Sequence, residues 1–242
     1  MYSFQSRVRY SEIDTELRLT LPSLINYYQD ASTFQSEGTP CSLLSLKERH
    51  LAWMICSWQV EIYRYPLLNE AIVSGTIPYE IKGFFGKRNY FLETADGEKL
   101  SWANSIWALI DTETMRPSRI PEDLLNVYEL NDPLPMEYSS RKLPFPKTGE
   151  ISTAETLTVH KRDLDTNNHM NNEQYIRMAL DCLPEIQGEI SGLKAEYLQQ
   201  ALLGDDIFPK LHIKKEEDKC VYTVALGRAD GKNYCVVEFT VI

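Results

Sequence analysis

The sequence predicts an α+β protein of two tandem repeats, each a helix wrapped by an antiparallel sheet. Two observations carry this expectation. Segments recur along the chain in the same order, and each recurrence joins one amphipathic helical pattern to long runs rich in β-branched and aromatic residues. The first recurrence is "VRYSEIDTELRLTLPSLINYYQDA" against "VHKRDLDTNNHMNNEQYIRMALDC", in which Asp14 and Asp165 lie 151 positions apart, as do Val8 and Val159, Thr15 and Thr166, and Ile25 and Ile176. "EIYRYPLLNEAI" from Glu61 then matches "EYLQQALLGDDI" from Glu196 at an offset of 135, and "ADGEK" from Ala95 matches "ADGKN" from Ala229 at 134. Ordered matches with shrinking offsets mark a duplicated unit whose first copy carries the longer insertions.

Each copy opens with a short strand-like run and an Asp-Thr pair, then enters a helix. In the first, Thr20 is placed to cap it and Pro22 sits in the first turn, while Leu21, Leu24, Ile25 and Tyr28 fall at i, i+3, i+4 and i+7. In the second, Tyr175, Met178, Ala179 and Cys182 form the corresponding stripe and Pro184 stops it. An apolar face on each helix calls for a sheet to lie against. "WMICSWQVEIYRY", "AIVSGTIPYEI" and "RNYFLETADGEKLSWANSIWALID" supply strands in the first copy, "KLHIKKEED" and "CVYTVALGRADGKNYCVVEFTVI" in the second. Both "ADG" sites are hairpin turns. One helix wrapped by a long antiparallel sheet is the hotdog arrangement, here written twice: residues 1–130 form the first repeat and 151–242 the second. Residues 131–150, with Pro133, Pro135, Pro144 and Pro146, read as an extended linker.

Of the 242 residues, 43% are hydrophobic and 25% charged, the balance of an ordinary globular protein. No run approaches the roughly 18 consecutive apolar residues that span a bilayer. The opening "MYSFQSRVRYSEID" has the character of neither a secretory signal nor a transit peptide, so the expected setting is the cytoplasm. Cys41, Cys56, Cys182, Cys220 and Cys235 are scattered without a Cys-x-x-Cys pair, which argues against a disulfide framework and a structural zinc site. The net charge of −10 argues against nucleic acid as the main partner and does not suggest an anionic membrane surface.

Within the duplication, Asp14-Thr15-Glu16-Leu17-Arg18 stands where the second copy has Asp165-Thr166-Asn167-Asn168-His169. The shared Asp suits a structural role in both. Asn167 and His169 occur only in the second copy, as expected if one copy holds a site. Asn171 followed by Gln174 fits a helix cap with a reciprocal residue, and Glu173 complements the positive end of the helix. That cap leaves Asn167, Asn168 and His169 unexplained.

"DLDTNNHMNNEQYI" is similar to the Asp-x-Asn-x-His-x-Asn-Asn-x-x-Tyr motif of the acyl-acyl-carrier-protein thioesterases, the plant plastid and bacterial enzymes built as two fused hotdog repeats. "SWANSIWALIDTETMRPSRIPEDL" resembles the segment that closes the first repeat of that family, and "GKRNYFLE" the basic-aromatic strand before it. The resemblance spans nearly the whole chain. It implies hydrolysis of the thioester of a fatty acyl-acyl carrier protein (ACP), releasing free fatty acid and terminating elongation, without cofactor or metal. The implied partner is ACP bearing an acyl-phosphopantetheine thioester, the implied setting a bacterial cytoplasm. A homodimer is left open by the sequence.

The family's motif carries over onto Asp165, Asn167 and His169. Thioester hydrolysis needs a polarised carbonyl, a positioned water and a base or nucleophile. His169, with an unperturbed pKa of about 6.5, can carry the proton. Asp165 can orient the imidazole or act on the carbonyl or the water, and Asn167 can hold the water or the thioester oxygen. Backbone N–H groups opening the second helix can face an oxyanion, where one donor is worth about 3 kcal/mol. One departure matters. Where plant members have a Glu-Cys pair after the "EY" of the second repeat, this chain has Gln200 and Ala201, so no cysteine nucleophile exists there and Gln200 is left to position a water or to have no role. The base then falls to Asp165 or His169.

In this family the first repeat sets chain length. Its aromatics Tyr27, Tyr28, Phe34, Trp53 and Trp58 are candidates for an acyl tunnel, with plain core as the other reading. An acidic ACP docking on an acidic protein requires a local cationic surface, for which Lys82, Lys87, Arg88, Arg116 and Arg119 are the candidates. Two other functions fit the same fold: a hotdog acyl-CoA thioesterase and a non-catalytic acyl-binding protein.

Overall fold

A computed structural model describes residues 1–242, which form two compact units: Met1–Cys56 with Ile62–Tyr138, and Ser57–Glu61 with Ser139–Ile242. The division differs from the expected boundaries in two places. The first unit runs to Tyr138, beyond residue 130, and a piece of strand from the first copy belongs to the second unit.

The first unit contains β1 (Tyr2–Arg7), α1 (Leu21–Ser36), α2 (Leu43–Glu48), most of β2 (Leu51–Ile62), β3 (Ala71–Lys82), β4 (Phe85–Thr94), β5 (Lys99–Asp111), β6 (Arg116–Pro117) and α3 (Glu122–Leu125). β1, β3, β4 and β5 pair antiparallel in that order, and β6 adds to the end of β5. α1 begins as its sequence predicts: the Thr20 hydroxyl accepts from Ser23 N–H at 3.3 Å, with Pro22 in the first turn. Such a cap contributes about 1 kcal/mol. Leu21, Leu24, Ile25, Tyr28 and Ala31 are buried, and α1 packs on β1 and β3. Tyr28, fully buried, keeps its hydroxyl satisfied by donating to Ser101 Oγ at 2.8 Å, and its ring lies 5.3 Å from that of Tyr90.

The start of the predicted linker is pinned down. Asn131 N–H donates to Pro78 O at 3.0 Å, while Leu134 N–H and the Tyr138 hydroxyl both donate to Asn89 Oδ1 at 3.0 Å. Asn89 is fully buried and also donates to Ala103 O, so one amide fastens residues 131–138 to the first sheet. This is why the first unit extends past residue 130.

The second unit contains β7 (Ile151–Thr153), β8 (Leu157–Thr158), α4 (Asn172–Asp181), β9 (Ile190–Tyr197), β10 (Asp206–Lys215), β11 (Cys220–Gly227) and β12 (Asn233–Val241). β10, β11, β12 and β9 pair antiparallel in that order, and β7 and β8 pair with β10. β9, not anticipated from the sequence, is flanked on its other side by Ser57–Glu61. α4 lies on β11 and β12 and buries Tyr175, Ile176 and Ala179. Met178 and Cys182, expected in the stripe, are half-buried. Each unit is thus a helix against an antiparallel sheet, and the fold is a double hotdog. Both "ADG" turns close hairpins, with Gly97 at φ +87° and Gly231 at φ +82°, a conformation that costs glycine little. No helix is long and apolar enough to cross a membrane.

Candidate active site

The duplication extends to individual hydrogen bonds. Ahead of each helix, where a strand-like run was expected, the chain makes a 3-10 turn, Tyr10–Glu12 in one copy and Lys161–Asp163 in the other. The Glu12 carboxylate accepts from Arg9 N–H at 2.8 Å, and the Asp163 carboxylate accepts from His160 N–H at 2.7 Å. Next, Asp14 Oδ1 accepts from Glu16 and Arg18 N–H at 2.9 and 3.0 Å; Asp165 Oδ1 accepts from Asn167 and His169 N–H at 2.8 and 3.1 Å. Asp14 N–H donates to Arg18 O and Asp165 N–H to His169 O, and the residue between, Leu17 or Asn168, takes positive φ (64° and 59°). Asn tolerates that conformation better than Leu.

Asp165 therefore holds a closed turn, as Asp14 does, and the turn gathers Asp165, Asn167 and His169 into five residues. Asn167 is exposed and His169 half-buried. In the first copy Glu16 and Arg18 occupy these positions and pair with each other at 3.3 Å. The same backbone thus carries an exposed ion pair in one unit and an amide beside an imidazole in the other.

The motif leads straight into α4. Asn171 Oδ1 accepts from Glu173 N–H at 3.1 Å and Asn171 O from Gln174 N–H at 2.9 Å, so two N–H groups of the first turn serve the cap. That narrows the expected use of this helix start for an oxyanion. The expected reciprocal bond of Gln174 is replaced: its side chain donates to Glu173 Oε2 at 2.7 Å. Glu173, expected to complement the positive end of the helix, is 2% exposed. Its Oε1 accepts from Arg177 Nε and Nη2 at 3.1 and 2.7 Å. Burial nevertheless pushes its pKa above the usual value, with Arg177 opposing and the nearby Asp163 charge reinforcing the rise.

Gln200 is brought to the flank of the motif. Two residues later, Leu202 bridges His169 in antiparallel fashion, and Ala201 O accepts from Met170 N–H at 3.0 Å. Ala201 is fully buried, and its N–H donates to the Tyr175 hydroxyl at 2.8 Å. Sequence reading placed Tyr175 at the close of the family-like motif and in the apolar stripe, but gave it no role at the site. The signal lay in the aligned copies, where Leu24 and Pro66 occupy the positions of Tyr175 and Ala201.

The cationic candidates do not form one patch. Lys87 and Arg88 are successive residues of β4 and point to opposite faces. Lys87 pairs with Glu80 at 2.9 Å. Arg88 stacks 4.2 Å over the Tyr128 ring and donates to Gln35 on α1. Lys82, Arg116 and Arg119 are exposed. Of the tunnel candidates, Tyr27, Tyr28 and Trp58 are buried, Trp53 is half-buried, and Phe34 is exposed with its ring against Phe4. All five cysteines are free thiols and none lies in the motif.

A duplicated hotdog with one modified turn defines a class of proteins, and comparison places the chain within it. Residues 1–128 match the acyl-ACP thioesterase N-terminal domain and residues 147–240 the acyl-ACP thioesterase C-terminal domain. The chain belongs to the acyl-ACP thioesterase family. It is 28% identical over 257 aligned positions to the chloroplastic acyl-[acyl-carrier-protein] hydrolase FATB3 of Cuphea viscosissima, covering 93% of this chain and 61% of that one. The chain thus spans about three fifths of that relative, and 50% and 53% of two others. A crystal structure from Lactobacillus plantarum superimposes with TM-score 0.90 at 24% identity, covering 99% of this chain and 94% of that one. An acyl-ACP thioesterase from Bacteroides thetaiotaomicron gives 0.84 at 22% identity, covering 98% and 96%.

Proposed function

We propose that this protein hydrolyses the thioester of fatty acyl-ACP in the bacterial cytoplasm, releasing a free fatty acid and the carrier's thiol. The observation that carries the reading is the pair of matched turns. One Asp-closed backbone occurs twice, and only the second copy, in the family's C-terminal domain, equips it with Asn167 and His169. In the reaction a water oxygen bonds to the acyl carbon, the C–S bond breaks, and the water's proton ends on the departing sulfur. His169 takes and returns that proton. Asn167 holds the water or the carbonyl oxygen, and Asp165 fixes the turn that aims both. Gln200 supplies an amide beside the same turn, suited to orienting the water. The first unit takes the acyl chain.

The test is a panel of acyl-ACPs of different chain lengths assayed for thiol release beside the matching acyl-CoAs. Turnover of at least one acyl-ACP with higher kcat/KM than its CoA ester is the expected result. Preference for the CoA esters would make it an acyl-CoA thioesterase, and binding without release a non-catalytic acyl-binding protein.

A further inference from the structure

We infer that Tyr175 is a positioning residue: its hydroxyl clamps the Ala201 N–H and so sets where Gln200 stands beside the His169 turn. The inference rests on the thioesterase reading for its kinetic consequences and on geometry for the clamp itself. Both backbone groups of Ala201 are engaged across the site, the C=O by Met170 N–H of the motif and the N–H by Tyr175 of α4. Gln200 is the preceding residue, and Leu202, the following one, bridges His169. A segment held at three successive points leaves Gln200 little freedom relative to the turn.

The first unit shows what happens without the clamp. Leu19 N–H donates to Pro66 O at 2.9 Å, matching Met170 to Ala201, and Arg18 bridges Leu67 as His169 bridges Leu202. Pro66 has no N–H, so no acceptor is needed, and the helix residue opposite is Leu24. The second copy has both changes: an N–H at 201 and a hydroxyl at 175. Either alone is costly. An N–H on the fully buried Ala201 without an acceptor is an orphaned donor, and a hydroxyl at 175, 2% exposed, needs a partner of its own. Together they satisfy each other. Burial keeps the phenol protonated, with its pKa well above the ordinary value, so it can accept from Ala201 and still present its own proton. The Tyr175 ring is further fixed edge-on to Tyr197, 5.7 Å away, whose hydroxyl donates to Asn172 O at 3.0 Å.

The pairing prescribes its own test. Tyr175→Phe strands the Ala201 N–H; adding Ala201→Pro removes that N–H and restores the arrangement of the first unit. Tyr175→Phe is expected to lower Tm by several degrees and to lower kcat on acyl-ACP about tenfold through misplacement, with KM changed less than about twofold. The double variant is expected to regain most of the lost Tm, because no N–H is left orphaned, but not the lost kcat, because no clamp remains. Unchanged kcat in folded Tyr175→Phe overturns the inference. Recovery of kcat together with Tm in the double variant overturns it too, because the orphaned N–H and not the missing clamp would then have caused the loss. The stability cycle stands apart from activity. If wild-type protein releases no thiol from any ester, the thioesterase reading fails, while additive effects of the two substitutions on Tm would overturn the clamp.

Discussion

At the residue scale, one side chain type does two jobs that a motif cannot separate. Asp165 sits in a functional signature, yet Asp14 makes the same pair of bonds, with a neighbour of positive φ, where Glu16 and Arg18 replace the amide and imidazole. Conversion of either Asp to Ala leaves two N–H groups without their acceptor. Because Asp14 is exposed and Asp165 half-buried, water replaces part of the loss, and each change should cost about 1–2 kcal/mol in denaturant unfolding. Only the second copy should show a kinetic effect: His169→Ala and Asn167→Ala should each lower turnover about 10²-fold or more with the fold intact. Near wild-type rates in either would remove that residue from the site. Equal activity losses for Asp14→Ala and Asp165→Ala would show Asp165 to be a turn former and nothing more. Asn167 and His169 stand out in the sequence because the molecule contains its own comparison. Tyr175 does not, because a tyrosine at a core position reads as apolar area until its hydroxyl is seen to meet a backbone N–H.

At the element scale, α1 was readable in its start and its buried face because cap, early proline and apolar spacing agree, but nothing marked its end at Ser36. α4 was readable in place but not in its burial. Its acid at the second position reads as a complement to the helix dipole, with nothing said of its burial, and the fold closes over Glu173 and leaves it to Arg177 and Gln174. β9 was invisible for a related reason. Gly192, Lys194, Ala195 and Glu196 have poor strand propensity, and the strand exists because β12 and Ser57–Glu61 pair with its two edges. Burial of Glu173 has a consequence in pH. Its neighbours are Arg177 on its own helix, Asp163 on the preceding turn and the neutral phenol of Tyr197. Its folded pKa is raised, so between the ordinary glutamate value of about 4.3 and that raised value the folded state keeps a proton the unfolded chain has lost. Stability contributed below the ordinary value is then lost as pH rises through the window. Glu173→Gln should flatten that fall in Tm profiles taken from about pH 4 to about pH 8. An unaltered slope would place the titrating group elsewhere.

At the scale of the whole molecule, the duplication was readable from three ordered matches, and the structure extends it to the φ angles of equivalent residues. The net charge of −10 was equally plain, but how five cations distribute over a surface is not written in their spacing. Lys87 is already paired with Glu80 and Arg88 is packed between Gln35 and Tyr128, so reversing all five charges would confuse docking with folding. Arg116 and Arg119 give the clean experiment because both are exposed. If an acidic carrier docks there, Arg116→Glu with Arg119→Glu should raise KM for acyl-ACP well beyond any change for acyl-CoA and leave Tm unaltered. Exposed charges are screened within a Debye length of about 8 Å at physiological ionic strength, so added salt should weaken acyl-ACP turnover in the wild type and have little effect in the double variant. Arg88→Glu should behave differently, lowering Tm and affecting both substrates alike through loss of its contacts with Tyr128 and Gln35. Equal KM increases on both esters from the Arg116 and Arg119 changes would place carrier recognition on another face of the protein.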